Sequence, residues 1–157
     1  MSATHPGMER KIRSQYIRTS VFLYIGCLLL PSVAFLDRTL LGLQLLMLNI
    51  IAIPEIVKGV LQQDFYLLTN YPFALANPCY LTSLWLSYYR RSYHLAYIFS
   101  LLAMFFILSF LYDPLVPYGK DLRGLSATPH IGYLAWILSA GCLAYANFHL
   151  DRQTRQR

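Results

Sequence analysis

Asn77-Pro78-Cys79, an apolar run from Tyr80 to Tyr89, the pair Arg90-Arg91, a second apolar run from Tyr93 to Tyr112, and Asp113-Pro114 follow one another in this chain. Two oily segments joined by adjacent arginines form a membrane helical hairpin. The arginines orient it, because Lys- and Arg-rich flanks stay on the cytoplasmic side. The Tyr93–Tyr112 run is uncharged and long enough, at 1.5 Å per residue, to cross roughly 30 Å of hydrocarbon. The Pro78–Tyr89 run reaches only ~18 Å at the helical rise. Either it continues to Tyr93 or His94 with both arginines snorkelling outward, or it starts below the outer surface and the preceding segment dips in to meet it. Irregular backbone at that depth is tolerated only where protein buries it or it lines a wet cavity.

Composition agrees with a membrane class. The chain is 57% apolar and 13% charged, with mean hydropathy +0.44, against about 45–50% and about 25% in soluble globular chains. The net charge is +6, and the positive excess resides in three places, offset by one net negative charge between Asp37 and Asn70. These are the amino-terminal tail (Arg10, Lys11, Arg13 and Arg18 against Glu9), Arg90-Arg91, and the carboxyl tail (Arg152, Arg155 and Arg157 against Asp151). Basicity so placed encodes orientation, with both termini cytoplasmic. A nucleic-acid partner would need a basic face with stacking aromatics, which this pattern lacks.

Taken in order, residues 1–19 read as a basic cytoplasmic tail and 20–36 as the first span. A cleaved secretory signal is the alternative for that run, with Ser32-Val33-Ala34 as a small-x-small site. Residues 40–73 are apolar but interrupted by polar groups. An odd number of crossings here would put Arg90-Arg91 opposite the basic amino-terminal tail, so the segment is expected to be interfacial or re-entrant. Asn49, Glu55, Lys58, Asn70 and Asn77 are its candidate cavity or partner-binding residues, and Glu55 and Lys58 stand at i, i+3. Asn77-Pro78 reads as a helix cap with proline in the first turn, opening a second span at 74–92. The third and fourth spans are 93–112 and 131–149, and residues 151–157 are a basic tail. The expected fold is therefore all-α and polytopic, four transmembrane helices in a single domain.

Small residues let membrane helices approach closely. Ala96 and Ser100 on the third span and Ala135, Ser139, Ala140 and Ala144 on the fourth are expected to bring those two helices together. Tyrosines, 13 in all, among them Tyr16, Tyr24, Tyr88, Tyr93, Tyr133 and Tyr145, are expected to anchor span ends in the interface. Cys27, Cys79 and Cys142 are far apart and read as small buried apolar residues, with neither disulfide nor zinc spacing.

The pattern Ala76-Asn77-Pro78, a short apolar helix, Arg90-Arg91, a long helix ending Leu108-Ser109-Phe110-Leu111, and Gly132-Tyr133-Leu134-Ala135-Trp136-Ile137-Leu138-Ser139 resembles a group of small bacterial four-span membrane proteins. The likeness covers roughly residues 40 to 148. It implies a four-span fold in the bacterial inner membrane and brings no catalytic residue with it.

Chemistry is sparse. His94 and His149 fall at the cytoplasmic ends of the third and fourth spans, where two imidazoles could ligate a haem iron. The plainer alternative sets His149 against the negative end of its helix and His94 in the interface. No Ser/His/Asp or Cys/His arrangement, glycine elbow or phosphate-cradling loop is recognisable. Neither an enzyme nor a cofactor is expected. The favoured function is non-catalytic binding of a membrane-protein partner or a second copy within the lipid bilayer, as an accessory subunit or as an immunity-type protein against a membrane-active toxin. The alternative is a small oligomeric channel or transporter lined by residues 40–76.

Overall fold

The computed structural model describes residues 13–35, 38–63, 72–112 and 128–155. The chain is mostly helical. A π-helical turn, Arg13–Ile17, leads into α1 (Arg18–Leu29). Strands β1 (Pro31–Phe35) and β2 (Arg38–Leu41) follow, then α2 (Gly42–Leu61). A 3-10 turn, Pro72–Leu75, opens α3 (Ala76–Trp85), which is continued by a π turn, Leu86–Arg90. Last come α4 (Tyr93–Tyr112), β3 (Thr128–Pro129) and α5 (Ile131–Arg155). By length and composition, α2 and α5 are each able to cross a membrane, and within α4 the stretch Tyr93–Ser109 is a further apolar helix.

Helix α1 ends well short of residue 36, where the first span was expected to finish. Leu30 is extended at φ −95°, ψ 154°, because the ring of Pro31 disfavours helical geometry in the residue before it. The chain then forms a small antiparallel sheet in the order β2-β1-β3, with Phe35 opposite Arg38 and Val33 opposite both Leu40 and Pro129. Ser32-Val33-Ala34 lies in its central strand. The apolar run thus divides between a helix and a sheet capping one end of the bundle.

Contacts along the helices fix their directions. Helices α1 and α5 are antiparallel: Tyr16 meets Tyr145 at 5.0 Å between ring centroids, Ser20 meets Ser139, and Ser32 lies against Gly132. Helices α4 and α5 are antiparallel too, with Tyr133 donating to the Ile107 carbonyl, Tyr97 beside Phe148 at 5.6 Å, and His94 beside Asp151. Helix α3 descends alongside α5, with Tyr80 near Ser139 and Ser87 near Asn147. The close approach expected between the third and fourth spans is the α4–α5 pair. The small residues divide differently, however: Ser139 turns to α1 and Ala96 receives a hydroxyl from α3.

The segment expected to be interfacial or re-entrant contains one continuous 20-residue helix, α2. Its first amide region is organised by Gln44, whose Oε1 accepts from the Leu41 N–H at 2.9 Å, and Lys58 lies in its last turn, where the helix dipole favours a cation. Pro54 is accommodated inside it. Helix α2 touches the bundle lightly, through Gly42, Leu45, Asn49, Ile56 and Gly59.

The hairpin turn is tight. Arg91 takes a left-handed conformation at φ 54°, ψ 27°, and the Ser92 N–H reaches the Leu86 carbonyl at 3.2 Å. A non-glycine residue there costs about 1–2 kcal/mol. Arg91→Gly is expected to raise stability by about 1 kcal/mol in a detergent melt, and an unchanged or lower melting point would contradict that relief of strain.

Candidate functional site

Helix α3 carries Asn77, Tyr80 and Ser83, and the π turn that continues it carries Ser87, all buried. Their spacing of three, three and four places them on one helical face. A buried polar stripe must find partners, and it does so in two clusters.

In the upper cluster the Tyr24 hydroxyl donates to Asn77 Oδ1 at 3.0 Å, and the Tyr24 and Tyr80 rings stack at 4.4 Å. Ser20 Oγ lies 2.8 Å from the Tyr80 hydroxyl. Ser20 and Ser139 exchange bonds, each hydroxyl donating to the other's backbone carbonyl, at 2.8 and 2.9 Å. In the lower cluster Ser83 Oγ donates to the Ala96 carbonyl at 2.7 Å. Ser87 Oγ reaches both the Ser83 carbonyl at 2.7 Å and Asn147 Oδ1 at 2.6 Å. Asn147 Nδ2 donates to Ser83 Oγ at 3.1 Å. The stripe therefore ties α3 to α1, α4 and α5 at once.

The sequence candidates are dispersed. Asn77 is not a cap: α3 begins at Ala76 with no side-chain cap bond, and the Asn77 amide is spent on Tyr24. Asn49 is buried on α2, its Nδ2 without a hydrogen-bond partner among the described residues. Glu55 and Lys58 are exposed on that helix, and Asn70 lies outside the described residues. The pocket that Asn77 lines with Cys27, Ser32, Gly42 and Trp136 has about 10 Å³ for the centre of a water molecule, the room one water needs. Among the described residues, Asn49 and Asn77 are buried on different helices, and Glu55 and Lys58 are exposed.

The two histidines are engaged separately. His94 Nδ1 accepts from Arg155 Nη2 at 2.7 Å and lies 3.4 Å from Asp151 Oδ2, while Arg155 Nε pairs with Asp151 at 3.1 Å. His149 lies against the Tyr145 ring at 4.4 Å. Among the described residues, no three His, Cys, Asp or Glu side chains form a metal-holding group. Ser20 finds a tyrosine and a serine rather than a base. All three cysteines are free thiols, Cys27 buried and the other two half-buried. Tyr24 and Tyr133, both expected to anchor in the interface, are core residues, 8% and 1% exposed, so interface anchoring does not explain them.

Sequence reasoning missed Arg18, which was read as part of the tail. Tyr16 is level with Tyr145, and Ser20 with Ser139. Arg18 is therefore level with the middle of α5, roughly 15 Å from Gly132 at the helical rise. It lines a lateral groove of about 660 Å³ between α1 and α3, together with Val21, Phe22, Leu81, Trp85 and Tyr88. Its side chain is exposed, and among the described residues no carboxylate pairs with it. If that level is mid-bilayer, a bare guanidinium costs about 3 kcal/mol there, so it calls for a partner. At the groove's lower end Arg90 sits over the Trp85 ring, 5.3 Å from its centroid.

No family model, curated protein or solved structure matches the chain.

Proposed function

We propose that this chain is a multi-pass protein of the bacterial inner membrane, with both termini cytoplasmic, that acts by binding a protein partner within the bilayer and performs no catalysis. In this reading α1, α3, α4 and α5 form the membrane bundle, and α2 is the docking helix. The observation that carries it is the poor burial of α2. Over its most apolar stretch 11% of residues are buried, against 50% in α5. Met47, Ile50, Ile51, Val57 and Leu61 are all more than half exposed.

Exposed apolar side chains are ordinary in lipid. What supports docking is that they share a helix with exposed Glu55 and Lys58. Association of helices in lipid depends on packing and on polar contacts rather than on apolarity, and α2 offers a long face of the first with two handles of the second. An accessory subunit and an immunity-type protein both use such a helix.

A photo-crosslinking residue at Met47 or Ile51, in native membranes, is expected to give a discrete protein adduct that weakens with Glu55→Gln. The same residue at Leu134, exposed on α5, is expected to give only lipid adducts. Equal, lipid-only labelling from both helices would refute the proposal. An adduct of twice the chain's own mass would identify the partner as a second copy.

A further inference from the structure

We propose that the groove between α1 and α3 is a binding site for an anionic phospholipid of the cytoplasmic leaflet, its phosphate drawn inward to Arg18 and its acyl chain lying along Phe22 and Leu81. This rests on the proposed membrane orientation, with both termini cytoplasmic, but does not depend on docking through α2.

The groove's shape and lining point to an amphiphile. At about 660 Å³ it falls in the range of small-molecule pockets, and it opens sideways rather than into the bundle. Phe22 is 74% exposed and Leu81 49%, so its upper half presents only hydrocarbon to whatever lies there. Its lower half carries Arg18, Tyr88 and Tyr89. Polarity thus changes along the groove in the sense of a lipid, with chain above and headgroup below.

Charge selects the class of lipid. Helical side chains lean toward the amino terminus of their helix. In the proposed orientation α1 runs away from the cytoplasmic end, so that lean favours the end of the groove that Arg18 shares with Tyr88. Arg90, held over Trp85, adds a second cation beside the same lower half. Two guanidiniums, and no carboxylate paired with either among the described residues, complement a phosphate diester. Guanidinium forks bind phosphate oxygens in pairs, and Tyr89 brings a phenol to the same lining. A zwitterionic headgroup would bring its own cation against Arg18 and Arg90.

Trp85 lines the groove and reports on it. The chain has two tryptophans, and the other, Trp136, has a buried Nε1 with no hydrogen-bond partner among the described residues, so Trp136→Phe removes a competing signal without orphaning any of them. The experiment reconstitutes that variant in vesicles holding a small fraction of phosphatidylglycerol or phosphatidylcholine with brominated acyl chains and reads quenching of Trp85. Brominated phosphatidylglycerol is expected to quench at least about threefold more effectively per mole than brominated phosphatidylcholine. Arg18→Gln is expected to bring the ratio to about one, Arg18→Lys to keep part of it, and Arg155→Gln, a cation outside the groove, to leave it unchanged. Quenching by brominated phosphatidylcholine, equal in all variants, shows that each is folded and embedded. Equal quenching by the two lipids before any change at Arg18 would overturn the assignment and leave Arg18 for a carboxylate on a partner helix. A preference that survives Arg18→Gln, or falls equally with Arg155→Gln, would reduce it to general attraction by the basic surface and overturn it as well.

Discussion

Replacing Ser83 and Ser87 together by alanine is expected to cost the bundle about 2–4 kcal/mol, and adding Asn147→Leu to that pair is expected to recover most of the loss. The asymmetry comes from what each change leaves behind. Asn147 is fully buried, with Oδ1 accepting from Ser87 and Nδ2 donating to Ser83. Removing both hydroxyls leaves a buried amide with those bonds gone, at about 1–3 kcal/mol for each orphaned group. Removing Asn147 strands no hydroxyl, because Ser87 still donates to the Ser83 carbonyl and Ser83 to the Ala96 carbonyl. Leucine then occupies the amide's space with apolar atoms. If interhelical bonds here were worth only the membrane average of about 0.6 kcal/mol, the double variant would lose about 1 kcal/mol and the leucine would restore nothing. Unfolding midpoints in a single detergent, for the double variant, the triple variant and Asn147→Leu alone, separate the two outcomes.

That cluster also shows what is legible in so apolar a sequence. The hairpin is easy to find because the absence of charge from Tyr93–Tyr112 and its concentration in Arg90-Arg91 carry the signal. The polar stripe Asn77, Tyr80, Ser83, Ser87 is also written in the spacing, and Asn77-Pro78 draws attention to the right turn of the right helix. The partners of the stripe are not. Ser20, Tyr24 and Asn147 lie on other helices, at offsets that only the packing sets.

Arg18 fails to be legible for a related reason. A cation at the edge of an apolar run reads as the edge of a membrane. The Ser20–Ser139 exchange draws α1 down alongside α5 and carries Arg18 half way along it. Residues 21–36 form a single apolar run by hydropathy, yet Pro31 divides it between α1 and β1, a break that backbone geometry decides and hydropathy does not register. Helix α2 was discounted as a span on charge parity. Its continuous 20 residues are a matter of local propensity, on which parity has no bearing. Asn49, Glu55 and Lys58 share that helix, but on different faces, one buried and two exposed.

The corner that joins α1, the sheet, α2 and α5 is expected to be the second point of fragility, and glycine holds it. A Cβ on Gly42 would lie 2.0 Å from the Cys27 carbonyl oxygen and 2.7 Å from its carbon. A Cβ on Gly132 would lie 2.5 Å from Ser32 Oγ and under 3 Å from the carbonyl oxygens of Leu30 and Pro31. The obstacles are mostly backbone, which cannot rotate aside, so alanine forces the elements apart. Overpacking of this kind costs about 1–3 kcal/mol, and Gly42→Ala belongs at the upper end because it also strains the Gly42 N–H bond to the Leu30 carbonyl, 3.1 Å. Gly26 and Gly141 supply the control. Both lie inside helices, in α1 and α5, and a Cβ at either meets nothing within 4 Å. There alanine gains helix propensity, up to about 1 kcal/mol, so those variants are expected to melt at or above the wild-type temperature. The same substitution at four glycines of one chain thus takes opposite signs according to backbone proximity alone. Four melts in a single detergent measure it, and a Gly42→Ala melt no lower than that of Gly141→Ala would mean that α2 does not pack against α1 at this corner.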